Sequence, residues 1–220
     1  MKWLGHACFY LTSPRGVRIL TDPFDKGVPY PPVSVECDVV TVSHEHSDHA
    51  GGLGGVKGSP RVLRGVDKDS GQVRRITDEV GDVRFRTVPT DHDDQGGAKR
   101  GKNAVFVMDF AGLVVVHLGD LGHVLAETTV KDIGRCDVLL VPVGGFYTID
   151  GKAAAEVVKS LSPRVVVPMH YKTKYTASWP ISGPDEFLRG QRNVRYLDTD
   201  QVDLKANALP AEQETWVFSF

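Results

Sequence analysis

Short apolar runs rich in β-branched residues recur along the chain, separated by turn-forming residues, a rhythm that predicts many strands and few helices. Strands are expected at Lys2-Leu11, Val17-Thr21, Asp38-Ser43, Arg61-Arg64, Val83-Val88, Ala104-Phe110, Leu113-Leu118, Asp137-Val143, Arg164-Pro168, Val194-Leu197 and Glu214-Phe220. Tight turns such as Ser13-Pro14-Arg15-Gly16 and Ala111-Gly112 indicate antiparallel pairing of the early strands. The pattern then changes. Asp150 caps an amphipathic helix running to Leu161, between the strands Asp137-Val143 and Arg164-Pro168, which makes a β-α-β unit. A meander joined to a crossover suggests two packed mixed sheets with helices outside, an α/β arrangement.

At 220 residues the chain is expected to fold as one domain spanning 1–220, since no Ser/Gly/Pro linker or composition shift marks a boundary. A formal net charge of -2 argues against a dedicated nucleic-acid surface. Cys8, Cys37 and Cys136 are odd in number and widely spaced, which points to small buried hydrophobes in a reducing compartment. The N-terminal apolar stretch is interrupted by His6 and followed by no small-residue cleavage site, so it reads as a strand. No run reaches the roughly 20 apolar residues of a membrane-spanning helix. A cytoplasmic protein is expected, with a small-molecule substrate, no membrane partner and an oligomeric state that composition leaves open.

The chemistry concentrates at His44-Glu45-His46-Ser47-Asp48-His49, four metal-ligand residues within six positions, immediately after the β-branched run Asp38-Ser43. At helical spacing His44 and His46 would point to different sides of the axis, so a loop curling around a metal is expected. His92 and His170 also fall just past strand ends, as do Asp22 and Asp120. Taken alone each of these is an ordinary loop residue; their shared position at strand ends makes convergence on one cleft the better reading. Five histidines, Asp48 and Asp120 exceed what one tetrahedral zinc can use, and two metals are implied.

Thr21-Asp22-Pro23, His44-x-His46-x-Asp48-His49, His92, Gly119-Asp120 and His170 resemble, in order, the five sequential motifs of the metallo-β-lactamase superfamily. Gly5-His6-Ala7-Cys8-Phe9, Pro142-Val143-Gly144-Gly145 and Thr148-Ile149-Asp150 look most like its UlaG-like metal-dependent hydrolase branch. The resemblance implies a four-layer αββα sandwich. It also implies His44, His46 and His92 on one metal, Asp48, His49 and His170 on the other, and Asp120 bridging. Zinc suits the imidazoles; manganese and iron fit the same nitrogen and oxygen donors. A metal-bridging hydroxide would then cleave an ester-like bond, a phosphodiester, a lactone or a thioester, with Asp48 handling a proton.

Asp22 reads either as a carboxylate orienting a ligating histidine or as the opening of an Asp-Pro turn. His6 reads as a contact to substrate or metal-bound water, or as a satisfied core histidine; His117, inside a strand, reads as structural, and His123 either faces the cleft or caps a helix. Four loops, Pro23-Val35, Asp93-Lys102, Gly144-Thr148 and Tyr171-Pro184, are expected to ring the cleft. The second is glycine-rich and expected to be mobile. Arg100, Tyr147, Lys172 and Lys174 are the candidate substrate contacts, and the lysines favour an anionic substrate. The alternatives are a di-iron redox enzyme on the same fold and a non-catalytic binding subunit. Intact ligand positions speak against the second.

Overall fold

The structure, a computed structural model, describes residues 1–220. Five strands form the first sheet, in spatial order β1 (Lys2–Gly5), β2 (Cys8–Thr12), β3 (Arg18–Thr21), β4 (Val39–Val42) and β5 (Arg61–Arg64). The second sheet is built from β6 (Thr77–Val80), β7 (Val83–Asp91), β8 (Lys102–Phe110), β9 (Val114–His117), β10 (Val138–Pro142), β11 (Val165–Met169), β12 (Val194–Tyr196) and β13 (Glu214–Val217). Its spatial order is β12-β13-β11-β10-β9-β8-β7-β6. Both sheets are mixed: β1-β2-β3 and β6-β7-β8-β9 run as antiparallel meanders, whereas β3-β4-β5 and β9-β10-β11-β13-β12 are parallel.

The β-branched runs end up where parallel strands need them. Val39-Val40-Thr41-Val42, Val138-Leu139-Leu140-Val141-Pro142 and Val165-Val166-Val167-Pro168-Met169 are buried at every position, because both faces of these strands are covered. The β-α-β unit forms as its sequence indicates. Asp150 accepts a hydrogen bond from the Ala153 N–H at the start of α3 (Gly151–Leu161), and β10 and β11 pair in parallel. One core joins Trp3, Phe9, Leu11 and Ile19 of the first sheet to Phe85, Phe106, Met108 and Leu140 of the second. Helix α3 packs on β10, α4 (Asp185–Arg189) on α3, and α2 (Glu127–Ile133) on β7, which covers the outer face of the second sheet. The outer face of the first sheet is closed differently. Phe24, Val28, Tyr30 and Val33 of an irregular segment pack on Cys8, Leu20, Val40 and Val42. This layer of the sandwich is mostly loop, with the one-turn helix α1 (Ser47–Ala50) beside it.

Two strand expectations need correction. Lys2-Leu11 is two strands, because Gly5 and His6 take left-handed backbone angles and turn the chain back on itself. Thr77–Val80 is a strand the hydrophobic pattern misses, since its Thr-Asp-Glu-Val sequence sits at the sheet edge, where charged side chains protect an unpaired rim.

The directions of these strands decide where function lies. Strands β1, β3 and β4 run one way in the first sheet, and β7, β9, β10 and β11 share a direction in the second. Their C-terminal ends carry His6, Asp22, His44, His92, Asp120 and His170, and all of these meet at one edge of the sandwich. Phe9 and Phe106 are both fully buried and lie in the core shared by the two sheets. Phe9→Ala and Phe106→Ala are each expected to cost about 3–5 kcal/mol, with a single unfolding transition retained. A urea melt in which Phe9→Ala produces two separated transitions would show that the sheets do not share one core.

Candidate metal centre

Six histidines and three aspartates occupy the edge, and burial is the rule among them. His6, His44, His49, His92, His170, Asp22 and Asp120 are buried, and only His46 and Asp48 open toward solvent. The side chains form overlapping clusters, His44-His46-His92, His44-His49-Asp120 and His6-Asp48-His49-His170, in each of which the donor atoms lie within 4.8 Å of one another. Asp120 is central. Its Oδ1 lies 3.1 Å from His49 Nε2, and its Oδ2 lies 3.2 Å from His92 Nε2, 3.3 Å from His170 Nε2 and 4.0 Å from His44 Nε2.

A second carboxylate organises the cluster from behind. Asp22 Oδ1 accepts the Ser43 backbone N–H at 2.7 Å, and Asp22 Oδ2 accepts the Ser43 hydroxyl at 2.6 Å and His49 Nδ1–H at 2.8 Å. Because the Ser43 hydroxyl donates to Asp22, its oxygen accepts His44 Nδ1–H at 2.9 Å. Both imidazoles are thereby held through Nδ1, which turns Nε2 toward Asp120. Of the two readings of Asp22, the orienting one describes the structure. Asn103, also buried, does the same for Asp120: its Oδ1 accepts the Asp120 N–H while its amide donates to Thr90 and to the Leu118 carbonyl. Arg64 at the end of β5 pairs with Glu45 and steadies the segment between His44 and His46.

The backbone is strained where the histidines are aimed. His6, Asp22 and His170 have φ of 52°, 41° and 51°, a region that non-glycine residues seldom adopt and that costs of order 1–3 kcal/mol each. Gly144 is required for a related reason, since a Cβ there would run into the carbonyl of His170. The glycine pair therefore serves close approach to the strand end that carries a histidine. The expected loop around His44 to His49 is half helix: Asp48 and His49 sit on the single turn α1, with His46 at its N-terminus.

Electrostatics at this edge favour a cation. Burial, then the neighbouring histidines, hold His44 well below its usual pKa, and His46 is lowered in the same way. Burial and His170 bring His6 down to about 4, against the opposing pull of Asp48. Burial opposes a charge on His49 as well, but Asp120, Asp48 and Asp22 outweigh it and lift its pKa well above the usual value. Burial likewise opposes ionisation of Asp120, yet His170 and His49 keep its carboxyl far below the usual range. Several buried polar atoms in this region find no hydrogen-bond partner, among them His49 Nε2, His170 Nε2 and Asp120 Oδ1. Orphaned buried donors and acceptors are costly, and these three face one another. Nitrogen and oxygen donors converging without partners fit a divalent metal. All three cysteines are buried and absent from these clusters.

A cleft of about 510 Å³ opens over Asp48, His46, His92 and Asp120 and is walled by all four expected loops, through Asp25, Lys99, Arg100, Tyr147 and Trp179 among others. Arg100 and Tyr147 are in place. Lys172 and Lys174 are not: the Lys174 ammonium donates to the Phe220 carbonyl at 3.0 Å and lies over the Tyr175 ring, and Lys172 lines no part of the cleft. The chain leaves β11 through the left-handed His170 and turns away, so proximity in sequence to His170 does not carry the lysines inward. His6 is also corrected. Its side chain is 1% exposed, with Nε2 3.2 Å from Asp48 Oδ2 and its ring 4.0 Å from that of His170, so it belongs to the buried cluster and not to the substrate surface. His117 binds the Ala7 carbonyl and the Gly119 N–H, and His123 accepts the Asp91 N–H; both are structural.

The Asp93-Lys102 loop is anchored where mobility was expected. Buried Asp93 accepts four backbone N–H groups, from Gln95 and Gly97 on Oδ1 and from Lys99 and Arg100 on Oδ2. Burial opposes its charge, but these four donors prevail and hold its pKa down at about 2. Residues that the sequence left unremarked are thus Ser43, Asn103, Asp93 and Trp179. For Ser43 and Asn103 a signal existed: each is a polar residue at the end of an otherwise apolar strand. For Trp179 there was none.

The family model for the beta-lactamase superfamily domain matches residues 1–170. A UPF0173 metal-dependent hydrolase of Archaeoglobus fulgidus is 30% identical, over 93% of this chain and 95% of its own length. A UPF0173 protein of Pyrococcus furiosus is 35% identical, over 85% of this chain and 88% of its own. Among solved structures, a Thermotoga maritima protein assigned to the Zn-dependent hydrolases of the metallo-β-lactamase superfamily superimposes with a TM-score of 0.78 at 40% identity, covering 99% of this chain and 96% of that one. Fold, strand-end ligand cluster and relatives along nearly the whole chain agree, and the protein belongs to the metallo-β-lactamase superfamily, among its metal-dependent hydrolases.

Proposed function

We propose that the cleft is a dinuclear metal centre that hydrolyses an ester-like bond in an anionic small molecule. The observation that carries this reading is Asp120, whose carboxylate lies within reach of candidate ligands of both sets below, His92 of the first and His49 and His170 of the second. His44, His46 and His92 would hold one metal, Asp48, His49 and His170 the second, with Asp120 between them. Zinc suits an imidazole-rich, thiolate-free donor set, and the Thermotoga maritima relative carries a zinc assignment. When bound, the metals supply Lewis acidity and lower the pKa of a coordinated water from 15.7 to roughly 7 in the best cases.

The chain's own residues do the rest. Asp22, through Ser43 and His49, keeps two imidazoles aimed, and Asn103 keeps Asp120 aimed. His6 Nε2 engages Asp48 Oδ2, so Oδ1 is the oxygen free to take a proton from the attacking water. The water oxygen joins the carbonyl carbon or phosphorus, the ester bond to the leaving oxygen breaks, and Asp48 returns the proton to that oxygen. Lys99 and Arg100 on the cleft wall attract an anionic substrate.

Elemental analysis of the purified protein is expected to give two zinc ions per chain at neutral pH. Occupancy falls on acidification, because histidine binds metal only when deprotonated. His170→Ala should leave one. Iron in place of zinc would return the redox chemistry, and a single metal unchanged by His170→Ala would sink the dinuclear assignment.

Asp120→Ala is expected to abolish most turnover of a 4-nitrophenyl ester with the far-UV circular dichroism spectrum preserved. Asp22→Asn, which disturbs orientation alone, should cost on the order of 10- to 100-fold in metal affinity or rate. The reading fails if Asp22→Asn proves the more damaging of the two.

A further inference from the structure

Between His92 and β8 the chain makes a compact basic hairpin that is held by a buried acid, its Gly101 carbonyl accepting the His92 backbone N–H at 3.0 Å. Asp93 gathers the N–H groups of Gln95, Gly97, Lys99 and Arg100. Gly97, at φ 78°, meets the Gly101 carbonyl so closely that no side chain fits, and the Gly101 N–H returns a hydrogen bond to the Gly97 carbonyl at 2.9 Å. Lys102 braces the base of the loop by pairing with Asp91 at 2.7 Å and with the Gly96 carbonyl at 3.0 Å.

The result is directional. Lys99 and Arg100 follow one another onto the cleft wall, on the same cavity as Asp48 and Asp120. Arg100 is aimed further by its own contacts: Nη2 donates to the Phe146 carbonyl at 2.6 Å, and the guanidinium lies 5.2 Å from the centre of the Tyr147 ring. Phe146 presents that carbonyl from a left-handed backbone, φ 58°. The remaining guanidinium N–H groups make no hydrogen bond to the chain, and neither Arg100 nor Lys99 is paired with a carboxylate, whereas Lys102 is. Another stretch of the cleft wall carries Asp25, and its carboxylate turns inward to its own loop at the Gly27 N–H.

We propose that Lys99 and Arg100 form an oxyanion-recognition subsite that binds a phosphate or carboxylate carried by the substrate beside the scissile bond, and that Asp93 is its positioning residue. The proposal rests on reading the cleft as the hydrolytic site. It deepens that reading by specifying a second, non-reacting anionic group. Unpaired guanidinium donors in a preset fork suit the paired oxygens of either group.

The test is equilibrium binding, which needs no turnover. Inorganic phosphate, succinamate and neutral succinamide are titrated calorimetrically into the zinc-loaded protein and into Arg100→Ala, the double variant Lys99→Ala/Arg100→Ala, Asp93→Asn and Lys172→Ala. Metals contribute equally to wild type and variant, so the difference isolates the subsite. Arg100→Ala is expected to weaken one or both anions by about tenfold or more, with a smaller salt dependence, while succinamide and Lys172→Ala show no change. Weakening confined to phosphate assigns a phosphorylated substrate, and weakening confined to succinamate a carboxylated one. Asp93→Asn places an amide against the Lys99 and Arg100 N–H groups and should reproduce most of the loss with zinc content and melting temperature retained. Equal anion affinity in wild type and Arg100→Ala overturns the subsite, and undiminished binding in Asp93→Asn overturns the positioning role. A low zinc content in the wild type counts against the dinuclear reading alone and leaves the Arg100 comparison intact.

Discussion

Burying ionised carboxylates is costly unless every oxygen is matched, and at one edge of this sandwich Asp22 and Asp120 are both 1% exposed. Much else in the molecule follows from meeting that requirement. Asp22 is matched by the chain itself, through Ser43 and His49, and becomes a fixed point from which two imidazoles are oriented. The Asp120 carboxylate is matched only by other candidate ligands, while its backbone N–H is held by Asn103, so its charge stays available to a cation. Two acids of similar burial thus do different work, because one is closed off by donors of the chain's own frame and the other is surrounded by candidate ligands.

Such an arrangement needs a rigid frame. Left-handed backbone at His170 is tolerated because the residue is fastened to β11, whose side chains are buried at every position, and Asp22 follows β3, which is buried over Ile19, Leu20 and Thr21. Parallel alignment supplies the convergence: strands of both sheets end at the same edge, and short connections leave little freedom in where the histidines point. Loops then add what the frame lacks. Asp25, Lys99, Arg100, Tyr147 and Trp179 give the cleft its charge and shape, and of these only Trp179 also packs against the core of the first sheet.

Legibility in the sequence tracked the range of the interaction. The His44-to-His49 cluster was readable because its candidate ligands are neighbours in the chain, and the β10-α3-β11 unit because its cap, its helical period and its apolar strands are all local. Residues that reach their position through a turn are harder to place. His6 lies inside an apolar stretch that looks like one strand and is open to two readings there, and only the reversal at Gly5 and His6 brings it beside Asp48. Lys172 and Lys174 follow His170 by two and four positions, yet the backbone turns them away from the cleft. The Asp93 loop looked slack because glycines lower the cost of disorder; the same glycines let four N–H groups converge on one carboxylate, which composition does not reveal.

What the sequence determined by itself was therefore chemistry and periodicity: which residues are candidate metal ligands, which segments are strands, and that these candidates stand at strand ends. Both are properties of the chain taken a few residues at a time. Tertiary structure decided the sharing of Asp120 among histidines from three different elements, the orienting network behind Asp22, and which of several basic residues face the cleft. Those depend on strand direction and on single φ angles, and a difference of one turn in the backbone sends the same side chain either to the metal edge or to solvent.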